Sequence, residues 1–284
     1  MILGTAQFGL NYGISNKIGR PSIDQSSEIL EIAHAHGVKI LDTAFAYGDS
    51  EKVLGKLNGN RFEIISKLPN LSKMEFTADY REISKLIQRT LVNTKQKQLH
   101  AYLLHTIDNL SFNGESLWRQ MHKIKEQGLT KKIGYSLYSP RQLDAYFDQY
   151  KPDIVQIPMN ILDREFQKTG WLKRLKDNGV EIHVRSIFLQ GLLLMKYEEQ
   201  MIKFPMYNNI WDLLRNELNV FEGSALDYCL GFIKGINEID NIVVGANSGI
   251  ELTGIATSKV ILRDVSNHLT SSDENLIYPV NWKI

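Results

Sequence analysis

Eight short runs rich in Ile, Val and Leu recur along the chain, each followed by residues at helical spacing, and this alternation limits the fold more than any other feature. The runs are Ile2–Thr5, Val38–Asp42, Phe62–Lys67, Ala101–His105, Lys132–Ser136, Ile154–Ile157, Val180–Arg185 and Asn241–Gly245. Strands that read as almost continuously apolar are covered on both faces, as in a parallel sheet with crossover helices. The helical signals sit where such crossovers need them. Asp24 is placed to cap a helix carrying Ile29, Ile32 and Ala33 that ends at Gly37. Ile83, Leu86, Ile87 and Leu91 form one stripe, Leu117, Met121 and Ile124 a second closed by Gly128, and Trp171, Leu172 and Leu175 a third closed by Gly179.

Eight strand–helix units in 284 residues come close to the roughly 250 residues of a TIM barrel. The pattern therefore predicts an α/β fold of the closed (β/α)₈ TIM barrel type, with residues 1–284 as a single barrel domain. No repeat, low-complexity tract or Pro/Ser-rich linker interrupts it. The longest departure is Ser186 to Phe221, about thirty-five residues after the seventh strand, with a short helix expected around Asn209–Leu218; a connection of that length is usually functional.

Bulk properties exclude several classes of function. Lys+Arg 33 against Asp+Glu 32 leaves a net charge of +1, so no global field draws the chain to nucleic acid or anionic lipid. The N-terminus lacks the basic start and apolar run of a signal peptide. The greasiest stretch, Ile187 to Met195, is broken by Gln190 and Gly191, so no membrane span is expected. A lone cysteine, Cys229, allows neither an internal disulfide nor a cysteine zinc site. A cytoplasmic protein with no metal, nucleic-acid partner or membrane contact is the expectation; the oligomeric state is open.

In a parallel barrel all strands end at one face, so the polar residues closing the apolar runs converge on one pocket. This filter selects Asp42, Lys67, His105, Ser136, Gln156 and Arg185, with Tyr47 in the loop after Asp42. Taken singly, a strand-end Asp, Lys or His is more often a cap or a salt-bridge partner. His34, His36, His100, His122, His183 and His268 lack any ligand spacing, and Ser136 lacks the Gly-X-Ser-X-Gly setting of a nucleophile elbow.

Taken together, Leu41-Asp42-Thr43-Ala44, Tyr47-Gly48, Ser66-Lys67-Leu68 and Leu103-Leu104-His105 resemble the aldo/keto reductase active site. Gly4-Thr5-Ala6, Ile133-Gly134-Tyr135-Ser136, Val155 to Asn160 and Gln190-Gly191-Leu192-Leu193 extend the resemblance over nearly the whole chain. It implies an NAD(P)H-dependent oxidoreductase, of the EC 1.1.1 type, that reduces an aldehyde or ketone to an alcohol. The catalytic residues would be Tyr47, Lys67, Asp42 and His105. Hydride addition leaves negative charge on the carbonyl oxygen. Tyr47 would protonate it, Lys67 would lower the phenol toward neutral pH, Asp42 would hold Lys67, and His105 would donate to the substrate oxygen.

For the cofactor, the chain has no Gly-rich dinucleotide fingerprint after its first strand, and the family uses none. The resemblance assigns the nicotinamide carboxamide to Ser136 and Gln156, with Leu137 where Asn is common. Arg185 stands where a stacking Tyr is frequent; it could stack or bind an anionic substrate group. Thr5, Ser186, Leu189 and Gly191 are placed along the dinucleotide, and Gly245, Asn247, Ser248 and Glu251 at its adenosine end. NADP(H) is the nominal cofactor and NAD(H) the alternative, because Glu251 would repel a 2′-phosphate and accept from a ribose hydroxyl; it could equally be a first-turn acid that suits the helix dipole. Short segments after His105 and at the C-terminus imply an open mouth, suited to a sugar or nucleotide-linked sugar. A second functional class is a weakly active, cofactor-sensing barrel that binds a partner.

Overall fold

The computed structural model describes residues 1–58, 61–71, 80–111, 113–262 and 265–282. Eight parallel strands close into a barrel in sequence order: β1 Ile2–Gly4, β2 Ile40–Asp42, β3 Glu63–Leu68, β4 Leu99–Leu104, β5 Thr130–Ser136, β6 Ile154–Pro158, β7 Glu181–Arg185 and β8 Asn241–Gly245. All eight expected runs become strands, with ends shifted by a residue or two. The fold is the predicted (β/α)₈ barrel.

Helices α1 Ile23–Ala35, α2 Ser50–Leu57, α3 Tyr80–Thr94, α4 Gly114–Glu126 and α5 Pro140–Tyr146 follow β1 to β5 in turn. Short α6 Glu165–Lys168 and α7 Trp171–Asp177 follow β6. The cap of α1 differs from expectation. Ser22 is the N-cap, its Oγ accepting from Gln25 N while Gln25 Oε1 accepts from Ser22 N; Asp24 falls in the first turn, where an acid still favours the dipole. Gly37, Gly128 and Gly179 end their helices at φ of +75°, +73° and +73°, the left-handed conformation that only glycine adopts without a Cβ penalty.

The long segment after β7 is largely helical. It runs through a 3₁₀ turn at Leu189–Leu194, α8 Tyr197–Lys203 and α9 Asn208–Asn219, so the expected helix is present and slightly longer. α10 Ala225–Lys234 precedes β8, α11 Gly249–Ala256 follows it, and α12 Glu274–Ile277 lies in the C-terminal segment. Among the described residues no helix is long and apolar enough to cross a membrane.

The barrel interior determines what the site receives. Ile2, Ile65, Ala101, Leu103 and Ile154 form an inner cluster, with Ile40 and Val243 against it. Alternate side chains of a strand share a face, so two residues further along each strand the chain faces inward again, above this plug. That step leads from Ile2 to Gly4, Ile40 to Asp42, Ile65 to Lys67, Leu103 to His105, Ile154 to Gln156 and Val243 to Gly245. Gly134 and His183 lead likewise to Ser136 and Arg185. All eight residues so reached line one cavity.

Candidate active site

The cavity has a volume of about 710 Å³ and lies at the C-terminal end of the barrel. Asp42 and Lys67 form its floor. Lys67 Nζ donates to Asp42 Oδ1 at 2.5 Å and to Thr43 O at 3.0 Å, and the two side chains are only 2% and 4% exposed. Gln156 Nε2 donates to Asp42 Oδ2 at 2.5 Å, so both carboxylate oxygens are engaged. Burial lowers the Lys67 ammonium below its ordinary range, and the adjacent Asp42 carboxylate opposes that fall.

Tyr47 leans over this pair. Lys67 Nζ is 5.3 Å from its ring centroid, and the Tyr47 and His105 rings meet edge to face with centroids 5.5 Å apart. Burial, chiefly, and the Asp42 charge raise the phenol above the usual tyrosine range, while Arg185 acts to lower it. The phenol is not drawn toward neutral pH as the Lys67 spacing implied: the Asp42 charge beside Lys67 raises it, and the cation that opposes this rise is Arg185. Burial, then the Lys67 and Arg185 charges, push the His105 imidazole down to about 3, so it is neutral across the ordinary pH range. The site offers a protonated phenol and a neutral imidazole over an internally compensated ion pair.

The loop after β7 adopts unusual backbone conformations. Ser186, Leu189, Gln190 and Gly191 have φ of 61°, 48°, 54° and 91°. Leu189 is buried in the core and its N–H bonds Ser186 O, while Asn160 Nδ2 donates to Ser186 O from the β6 loop. Strained backbone of this kind persists only where its surroundings over-determine it, and it clusters at ligand sites. At Gly191 a Cβ would lie 2.0 Å from Ser15 Oγ, so the two loops approach as closely as they do only with glycine there.

Residues 1–224 match the sequence model of the Aldo/keto reductase family. The chain belongs to the aldo/keto reductase family. It is 24% identical over 227 residues to Aldo-keto reductase YhdN of Bacillus subtilis (strain 168), a match covering 76% of this chain and 65% of that protein. It is 26% identical over 190 residues to NAD(P)H-dependent 6'-deoxychalcone synthase of Glycine max, covering 59% of each. These matches span just under two thirds of the curated relatives' lengths. The structure of aldo-keto reductase AKR11C1 from Bacillus halodurans, in its holo form, superposes with a TM-score of 0.73 over 95% of this chain and 94% of that one, at 16% identity, and shares its fold.

Not every residue placed along the cofactor reaches the cavity of this aldo/keto reductase. Ser136, Gln156, Arg185, Ser186, Gly191, Gly245, Asn247 and Glu251 line it with Asp42, Tyr47, Lys67 and His105. Thr5 does not: its hydroxyl donates to Asp42 O and meets Ser50 Oγ, tying β1 to β2 and the start of α2. Leu189 turns into the core, and Ser248 Oγ caps α11 by accepting from Glu251 N. Gln7, Tyr12, Ser15 and Tyr138 also line the wall. Sequence spacing did not select them, because they lie in loops whose path no periodicity reports. Pro279 and Val280 of the C-terminal segment reach the cavity too, so the mouth is less bare than the segment's length implied.

One ionisable group beside the site has no task there. Asp163 is 1% exposed, Oδ1 accepts from Glu165 N at 3.4 Å, and Oδ2 has no hydrogen-bond partner among the described residues. Burial raises its carboxyl to about 7. A carboxyl raised in the folded state gives stability that is present below its unfolded value near ~4 and lost as pH rises through the folded value. Asp163→Asn is therefore expected to stabilise the protein by about 1–3 kcal/mol near pH 8 and to change little near pH 4. Urea unfolding at the two pH values checks this; destabilisation at both would mean that the charged form is held by contacts.

Proposed function

We propose that this chain is an NAD(P)H-dependent reductase of aldehydes or ketones in which Tyr47 is the general acid. The observation that carries the reading is the convergence of Tyr47 and His105 over the buried Asp42–Lys67 pair on the floor of one cavity. A bound NADPH or NADH would supply the hydride. Tyr47 keeps its proton well into the alkaline range and gives it up to the carbonyl oxygen as charge develops there. His105, neutral, donates a hydrogen bond to the same oxygen and orients it. Asp42 holds Lys67 against the Tyr47 ring, and Gln156 fixes Asp42 from the other side.

Two buried polar atoms on the cavity wall support a polar cofactor there. Gln156 Oε1 and Asn247 Oδ1 have no hydrogen-bond partner among the described residues, and a buried acceptor left unpaired costs about 1–3 kcal/mol. Gln156 with Ser136 suits the carboxamide, and Asn247 the adenosine half. The cavity's volume and the polar side chains on its wall, Gln7, Ser15 and Arg185 among them, support a bulky polar carbonyl such as a sugar or nucleotide-linked sugar. Oxidation of NADPH and of NADH, followed by absorbance with a panel of aldehydes and keto-sugars, tests the reading; no turnover of any of them would refute it.

Cofactor choice rests on Glu251. Its Oε2 accepts from Asn247 N at 2.7 Å and from Asn247 Nδ2 at 3.2 Å, so a carboxylate already occupies the amides before α11. A 2′-phosphate would meet like charge, which supports weak discrimination, with NADP(H) nominal and NAD(H) also accepted. Glu251→Arg is expected to shift the kcat/KM ratio toward NADPH by about tenfold, roughly 1.4 kcal/mol. An unmodified enzyme preferring NADPH by more than about 1000-fold, roughly 4 kcal/mol, would place phosphate recognition elsewhere.

A further inference from the structure

Arg185 ends β7 at the cavity wall with its charge unmatched. Nη2 donates to Leu137 O at 2.9 Å and Nη1 to Ser186 Oγ at 3.2 Å, and the guanidinium carbon lies 4.5 Å from the Tyr138 ring centroid. A guanidinium carries five N–H groups, so three are left for other partners. Among the described residues no carboxylate oxygen comes within 4.0 Å of it. The other charges of the floor cancel, since Lys67 is matched by Asp42 while Tyr47 and His105 are neutral. Asp163 senses Arg185, yet its carboxyl, raised to about 7, is half-neutral at that pH and makes no contact with it.

Arg185 is partly buried, and a cation that gives up part of its hydration without a counter-ion recovers only about 0.5–2 kcal/mol from a cation–π contact. A fold that keeps such a charge beside the reacting groups has its counter-charge arrive with a ligand. The direction of the side chain indicates which ligand. Leu137 and Tyr138 follow β5, so the guanidinium reaches from β7 across the end of β6 toward β5, the side of Ser136 and Gln156 proposed for the nicotinamide carboxamide, which brings no anionic group. Gly245, Asn247 and Glu251, proposed above for the adenosine half, lie on the opposite side, after β8.

We propose that Arg185 anchors an oxyanion, a carboxylate or a phosphate ester, borne by the carbonyl substrate itself. The proposal rests on the reductase reading and narrows its substrate class. Arginine suits the task because its planar fork meets two oxygens of such a group at once.

Matched substrate pairs test it: succinic semialdehyde against butanal for the carboxylate, and glyceraldehyde 3-phosphate against glyceraldehyde for the phosphate. In the unmodified enzyme the kcat/KM ratio of charged to uncharged partner is expected to exceed about tenfold in at least one pair, which identifies the oxyanion. Arg185→Met is expected to bring that ratio to within about threefold of unity, and Arg185→Lys to keep an intermediate value. Because each ratio is internal to one protein, it does not depend on how much of a variant folds. A ratio near unity in both pairs, or one that survives Arg185→Met, overturns the proposal. So does a raised cofactor KM in Arg185→Met with the ratio intact, which would assign the charge to the dinucleotide. Failure to turn over these four carbonyls and every member of the aldehyde and keto-sugar panel would instead refute the reductase reading. Calorimetric titration with butyrate and butyramide then decides Arg185: butyrate binding tighter and weakened by Arg185→Met supports the anchor, and equal binding of the two overturns it.

Discussion

Replacing Tyr47 by phenylalanine is expected to lower carbonyl turnover by about 10²-fold or more while leaving cofactor affinity within a few-fold. The variant keeps the ring, so the edge-to-face contact with His105 and the approach of Lys67 Nζ to the ring are retained. What it loses is one hydroxyl, and with it the proton proposed to neutralise the developing alkoxide. Neither remaining neighbour can replace it. The imidazole of His105 is neutral down to about pH 3, so it donates a hydrogen bond without carrying a transferable excess proton. Lys67 is held by Asp42 and Thr43 O. The comparison of kcat and of cofactor affinity in the two proteins checks the assignment. Turnover equal to that of the unmodified enzyme would remove Tyr47 from the acid role.

This site is legible in the sequence to the extent that strands report it. Asp42, Lys67, His105 and Arg185 are the polar residues that close apolar runs, and in the barrel each faces the cavity above the Ile2–Ile154 plug. Connections across the barrel are not visible that way. Gln156 was assigned to the cofactor by resemblance, yet its amide nitrogen is used on Asp42, 114 residues away in sequence. Its Oε1 is left for a ligand. Thr5 and Ser248 carry side chains of the right chemistry for ligand binding, but each hydroxyl finds a backbone partner nearby. Short polar side chains at strand and helix ends commonly do so. The source of the charge acting on Tyr47 was also hidden. Spacing places Lys67 near the phenol and beside Asp42, but only the packed structure brings Arg185 close enough for its charge to act on Tyr47.

The same packing makes the Asp42–Lys67 pair a sensitive point of the fold. Asp42→Ala would leave the Lys67 ammonium 2% exposed with no counter-ion, its one remaining acceptor being Thr43 O. Removing one partner of a buried pair typically costs about 3–5 kcal/mol, far more than the pair itself contributes over apolar residues. The sign of the pH dependence follows from Lys67. Burial lowers its folded value, and Asp42→Ala removes the largest influence opposing that fall. The penalty is complete below the lowered folded value, shrinks as pH rises through it, and vanishes above the unfolded value near ~10.4. Asp42→Ala is therefore expected to lose about 3 kcal/mol or more near pH 7 and clearly less near pH 10. Asp42→Leu combined with Lys67→Met supplies the counter-test. With neither charge buried, that double variant should unfold within about 1–2 kcal/mol of the unmodified protein, apart from the lost Gln156 contact, and still fail to turn over carbonyls. Denaturant unfolding of the three proteins at both pH values separates the role of the pair in holding the barrel from its role in placing Tyr47. A single variant that costs under about 1 kcal/mol at neutral pH would mean that water or another acceptor reaches Lys67, and that the ion pair is not what holds the floor of the cavity.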